Sequence, residues 1–244
     1  MVTTNEILSQ VVIVFQDDDI LIVNKPAGLL TISDGYDPAQ PYLKKYLEGK
    51  FGPVWVVHRL DKLTAGLIVF ARNPKTHRYL SIQFEKRLVS KKYSCYVVGT
   101  PDWQNRTIVS PLKVNADKKH RTLVDFANGK PAKTSFLIVN RLSWVTLVEA
   151  VPFTGYTHQI RSHLYSIGFP IYGDALYGFK EVRYQNILPE KMRSGYGGFL
   201  MLCAHQITLS FPKDHQSRVF SIDLPQHFLD FDNTIIKKIL LEND

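Results

Sequence analysis

Two apolar runs, Val54 to Val57 and Leu67 to Ala71, bracket His58-Arg59-Leu60-Asp61-Lys62-Leu63-Thr64-Ala65-Gly66, and this arrangement constrains the chain more than any other. Bounded by Pro53 and Gly66, the runs predict buried strands, so the loop between them delivers Asp61 to a sheet edge or cleft. Arg59 and Lys62 flank it. A close opposite charge keeps a carboxylate ionised, which suits a nucleophile or a base. An Asp in a loop also serves simply to cap the backbone of a turn, and the loop alone leaves both roles open.

Around this stretch the chain alternates strand and helix patterns. Val11 to Phe15 and Ile20 to Val23 flank Gln16-Asp17-Asp18-Asp19, which predicts a hairpin. Asn24-Lys25-Pro26-Ala27-Gly28 then breaks the strand. Tyr42 to Glu48 predicts a short helix with Leu43 and Leu47 inward and Gly49 as its stop. Asn73 and Pro74 form an N-cap and first turn for a helix running to about Leu88, with Leu80, Phe84 and Leu88 on its buried face. Lys91 to Gly99 alternates as a strand, with Tyr93 beside Cys95 and Val97. Residues 100–133 form a basic, loop-rich segment, either an RNA clamp or a solvated insertion, and Thr134 to Asn140 and Val145 to Val151 resume strand character.

Phe153 to Gly168 predicts a helix capped by Thr154 or Thr157 and ended by Gly168 and Pro170. Ile160, Leu164 and Ile167 make its apolar stripe, opposite His158, Arg161 and Tyr165. An Arg near the helix N-terminus opposes the dipole and invites an anionic partner, for which Asp61 is the candidate. Residues 168–178 predict a turn-rich surface, Leu202 to Pro212 a half-buried strand that Val219 to Leu224 can pair with, and Thr234 onward an amphipathic terminal helix.

These motifs, taken in order, resemble the RluA-type pseudouridine synthases of ribosomal and transfer RNA. The resemblance rests on Asp-Asp then Lys25-Pro26-Ala27-Gly28, on His58-Arg59-Leu60-Asp61, on Lys91-Lys92-Tyr93, on Thr157-His158-Gln159-Ile160-Arg161 and on the strand from Leu202. It implies an α+β fold: a single catalytic domain, residues 1–244, with a mixed, mainly antiparallel central sheet flanked by helices. Most members carry an S4-like module ahead of that domain, but the roughly ten residues before the first strand leave no room for one, so none is expected here. The resemblance also implies uridine isomerisation without a cofactor. Asp61 is then the catalytic residue, Arg161 its partner and Tyr93 an active-site tyrosine. His58 and Arg59 line the entrance, and Leu202 walls the uracil pocket. Two positions depart from the family pattern: Ala65 stands where Ser is commoner, and Tyr156 where Arg is usual.

Composition narrows the alternatives. The formal net charge is +8, and Arg72, Lys75, Arg78, Lys86, Arg87, Lys91 and Lys92 face Glu85 alone across residues 72–92, a field suited to RNA. Two cysteines exclude a disulfide framework and point to a reducing, cytoplasmic setting. No apolar run reaches the ~18 residues of a membrane span. His158 and His163 are poorly spaced for shared coordination, so no metal is expected. The expected partner is ribosomal or transfer RNA and the expected state a monomer. A catalytically silent RNA-binding protein, or a glycosidase releasing uracil, are the competing readings.

Overall fold

The computed structural model describes residues 4–35 and 37–231. A short helix, α1 (Thr4–Ser9), precedes a hairpin of β1 (Val12–Gln16) and β2 (Ile20–Lys25). Asp17 builds its turn, its Oδ1 accepting from the amides of Asp19 and Ile20 at 2.8 and 2.7 Å. Helix α2 (Leu43–Phe51) buries Leu43 and Leu47 as expected, but it runs through Gly49 and stops at Gly52, where φ is 74°. An interior glycine costs a helix only about 1 kcal/mol, whereas left-handed backbone ends it.

Strands β3 (Trp55–Val56) and β4 (Ala65–Ala71) flank the Asp61 loop. All of β4 is buried; β3 is shorter than the sequence suggests and only partly buried. Helix α3 (Pro74–Glu85) starts where predicted, with Asn73 Oδ1 accepting from Thr76 N at 2.8 Å. It ends before Leu88, because Arg87 takes φ 59° and Leu88 N turns back to Gln83 O at 2.9 Å. Leu80 is therefore buried and Phe84 partly so, but Leu88 is exposed rather than part of the buried face.

Next come β5 (Ser90–Val98), β6 (Asn105–Val109), β7 (Leu112–Lys113) and β8 (Leu123–Val124). The segment expected to be loop-rich thus holds three strands. Of β6 only Ile108 is buried, so no alternating pattern betrayed it. Then follow β9 (Lys133–Arg141), β10 (Val145–Pro152), α4 (Gln159–Ser166), α5 (Val182–Gln185), β11 (Leu202–Ser210) and β12 (Ser217–Ser221). The terminal helix expected from Thr234 lies outside the described residues.

Among the described residues two compact units emerge, one up to residue 91 together with 204–223 and the other 92–203 together with the described residues from 224 on. In the first, β1, β2, β4 and β11 are successive neighbours, with β3 on β4 and β12 on β11. Its core joins Ile22, Val69, Leu80, Ile207 and Phe211. In the second, β5, β10, β9 and β6 form antiparallel ladders and β7 pairs β8 separately. The class is α+β with mainly antiparallel strands and flanking helices, as the sequence led us to expect; Leu30 and Tyr42 add a parallel bridge.

Gly66 shows why β4 needs its glycine. Its φ is +116°, and a Cβ there would sit 2.3 Å from the carbonyl oxygen of Ala204 on β11. Gly66→Ala combines backbone strain with overpacking against main chain, and the expected loss is about 3 kcal/mol or more, read as a lower urea midpoint at unchanged m-value.

Candidate active site

The loop carrying Asp61 has its main chain fixed from both sides. Thr31 Oγ1 donates to Leu60 O at 3.0 Å and accepts from Leu60 N at 3.3 Å. On the other flank, Lys62 O accepts from Gly28 N at 2.8 Å and from the Lys25 ammonium at 3.2 Å. Thr64 N closes a turn on Asp61 O at 3.1 Å.

Lys25 has no exposed surface, and its Nζ also donates to Leu29 O at 2.8 Å and Pro26 O at 3.0 Å. Three carbonyls thereby offset the cost of burying the ammonium. Residues 24–28 read as a strand break and as part of the family resemblance, but neither reading gives this lysine a role. The signal was the alternation of β2, which places Lys25 on the side of Leu21 and Val23.

Asp61 is partly exposed, whereas Arg59 and Lys62 are exposed. Lys62 Nζ donates to Gln40 Oε1 at 2.8 Å. His58 turns inward instead. Its Nε2 accepts from Val69 N at 3.0 Å, and its ring stacks on Phe84 with centroids 4.5 Å apart. Accepting at Nε2 requires the neutral imidazole, and burial, with help from the nearby Lys91 ammonium, pushes its pKa down to about 3. His58 thus ties the loop to β4.

Arg161 and Tyr93 belong to the second unit. Helix α4 begins at Gln159, after His158 in left-handed backbone (φ 57°), and neither Thr154 nor Thr157 caps it. Thr154 Oγ1 instead donates to Gln159 Oε1 at 2.7 Å, and Gln159 Nε2 donates to Lys133 O and Thr134 Oγ1. Thr134 Oγ1 pairs with His163 Nδ1 at 2.9 Å, and His163 Nε2 with Ser110 O at 3.0 Å. This network lets residues 159–164 all be buried, so the one-sided apolar stripe gives way to a helix enclosed on both faces. Gly168 closes it as expected, with φ 86°.

The guanidinium of Arg161 is gripped by Asp174. Nε meets Oδ2 at 2.7 Å and Nη2 meets Oδ1 at 2.8 Å, with both side chains almost wholly buried. Asp174 Oδ1 also accepts from the amides of Leu176 and Tyr177, each at 3.2 Å. Arg161 lies 4.9 Å over the ring of Tyr177, whose hydroxyl accepts from Thr122 N at 2.6 Å and contacts His158 Nδ1 at 3.1 Å. Burial pushes that phenol up to about 12.

Residues 168–178 are therefore turn-rich but not a surface: Ile171, Tyr172, Asp174 and Tyr177 are all buried. Asp174 was overlooked, although the density of large apolar and aromatic residues around it marks an interior turn. Tyr93 is buried on β5 opposite Ala150 of β10, and Leu202 is buried at the start of β11. Among the described residues no cluster of His, Cys, Asp or Glu has metal-binding geometry.

Residues 19–166, from the β1–β2 turn through α4, match the family model described as RNA pseudouridylate synthase. This chain belongs to that family. Over 88% of its length it is 34% identical to the dual-specificity RNA pseudouridine synthase RluA of Vibrio parahaemolyticus, 83% of which it covers. It is 32% identical, over 86% of its length, to the protein of that description from Escherichia coli K12, covering 91% of it. The solved structure of human RNA pseudouridylate synthase domain containing 1 matches with a TM-score of 0.72 and 26% identity, over 89% of this chain and 85% of that one. The RluA-type assignment made from the motifs is borne out, and the chain is an RNA pseudouridine synthase, an isomerase. No helix among the described residues is long and apolar enough to cross a membrane.

Two outcomes follow from this geometry. Asp174→Asn removes the carboxylate that grips the buried guanidinium and should cost about 3–5 kcal/mol, measured by chemical denaturation. His58 is held neutral in the fold, while the unfolded chain protonates it near its ordinary value. Its contribution to stability is therefore present at neutral pH and is lost as pH falls from about 6.5 toward about 3. In urea titrations across that range, His58→Phe should show a shallower fall than the parent.

Proposed function

We propose that this synthase converts a uridine of ribosomal or transfer RNA to pseudouridine, with Asp61 as the residue that acts on the sugar. The observation that carries the proposal is the pinned loop: hydrogen bonds at Leu60 and Lys62 hold the main chain on either side of one partly exposed carboxylate. Such fixed placement is what attack on a single carbon requires. Asp61 either attacks C1′, displaces uracil through its N1 and is itself displaced when C5 bonds C1′, or takes the C2′ proton to leave a glycal and returns that proton to C2′ as C5 bonds C1′. Both routes break the N1–C1′ bond, turn the ring, join C5 to C1′ and release the C5 proton, while N1 gains one. Atoms and electrons balance without a cofactor.

In this scheme Arg161 holds Asp61 ionised and aimed. A guanidinium has five N–H donors, of which the Asp174 fork uses two. Tyr93 stacks on the uracil and takes the C5 proton, and Leu202 walls the pocket. Arg59, exposed on the pinned loop, fills the space left by the everted nucleotide, since chemistry on a stacked base requires extrusion. His58 supports the entrance from within, through Val69 and Phe84. The relatives' dual-specificity description favours more than one RNA target, reached by a cytoplasmic monomer.

Asp61→Ala and Asp61→Asn should lower pseudouridine formation by about 10³-fold or more while leaving RNA binding in place, as read by nucleoside mass spectrometry and a binding titration. Unchanged product would remove Asp61 from the chemistry. Free uracil in place of pseudouridine would identify a glycosidase, and RNA binding by the parent with neither product would identify a silent binder.

A further inference from the structure

A second feature of the Arg161-bearing unit has no role in the scheme above. A pocket of about 180 Å³ opens where the β7–β8 connection meets the turn after Asp174, lined by Lys119, Arg121, Leu176, Gly178, Lys180 and Glu181 among others. Three of these side chains are cationic. The lone carboxylate, Glu181, has both oxygens engaged: Oε1 accepts from the Tyr165 hydroxyl at 2.7 Å, and Oε2 accepts from Arg183 Nε at 2.8 Å. Arg121 is braced from behind. Its Nε donates to Asp117 Oδ2 at 2.8 Å, and Asp117 Oδ1 accepts from the amides of Lys119 and Arg121 at 3.0 and 3.1 Å. A single carboxylate thus shapes the loop and fixes one face of the guanidinium, while Lys119 and Lys180 are exposed.

We propose that this pocket is a phosphodiester subsite for the RNA strand, a conclusion that rests on the chain being an RNA pseudouridine synthase. A pocket lined by Leu176, Gly178 and three cations, its one acid already satisfied, matches the charge and size of a backbone phosphate with part of its sugar. The pocket also borders the buried centre. Leu176, in its wall, donates its amide to Asp174, and Thr122, next to Arg121, donates its amide to the Tyr177 hydroxyl beneath Arg161. A phosphate seated here would register the strand against the Arg161 region, without reading sequence.

The test is a salt series of RNA binding by the full chain, using an unmodified stem-loop transcript, with the parent, Lys119→Ala, Lys180→Ala and the double variant. The slope of log affinity against log salt should become shallower by about 1 for each lysine removed, the double variant should bind roughly 10-fold more weakly, and the loss should appear in KM. Slopes equal to the parent's would overturn the subsite, as would a parent that binds no RNA. If the parent binds RNA but makes no pseudouridine, the proposed chemistry fails, and the subsite is still decided by the slopes.

Discussion

A guanidinium with almost no exposed surface is tenable only with its charge answered nearby, and the fork between Arg161 and Asp174 supplies that answer in the second unit. Asp174 accepts two N–H groups from Arg161 and two amides from its own turn, so the ion pair fixes both the helix that carries the arginine and the turn that carries the acid. The polar chain from Thr154 through Gln159 and Thr134 to His163 serves the same end. It satisfies the groups that a helix buried on both faces would otherwise strand without partners.

The first unit prepares its carboxylate differently. Main-chain hydrogen bonds pin the residues before and after Asp61, and a fully buried lysine holds Lys62 O in common with Leu29 O and Pro26 O. A side chain projecting from such a loop needs little reordering, which is the advantage of rigid support for the chemistry proposed for Asp61. His58 belongs to that support. Its neutral ring joins the loop to β4 through Val69 and to α3 through Phe84.

Elements whose pattern is local were legible in the sequence. The hairpin at Asp17, the apolar run of β4, the inward leucines of α2 and the Asn73-Pro74 start of α3 each follow from neighbouring residues alone. Features set by distant contacts were not. Arg87 ends α3 in a conformation usually left to glycine, β6 is an edge strand with one buried residue, and α4 hides its polar face because Lys133, Thr134 and Ser110 reach it from elsewhere. The motif stretches led to Asp61 and Arg161 as candidates. The residues that hold those stretches in place, Lys25, Thr31 and Asp174, were given no role from the sequence, because the partners that explain them lie far along the chain.

One hydroxyl, that of Tyr177, joins the basic β7–β8 segment to the arginine-bearing helix, because it takes the amide of Thr122 while its ring lies under Arg161. Main chain makes this link and the buried Thr122 side chain backs it, its hydroxyl donating to Thr157 O at 2.7 Å, so the link is sensitive both to the residue at position 122 and to the length of the connection. Exposed Lys118 and Lys119 on that connection can be exchanged without touching this link, whereas insertions or deletions between β7 and β8 disturb the seat of the arginine. The length of this connection is thus held by the helix it supports, and its outer side chains are not.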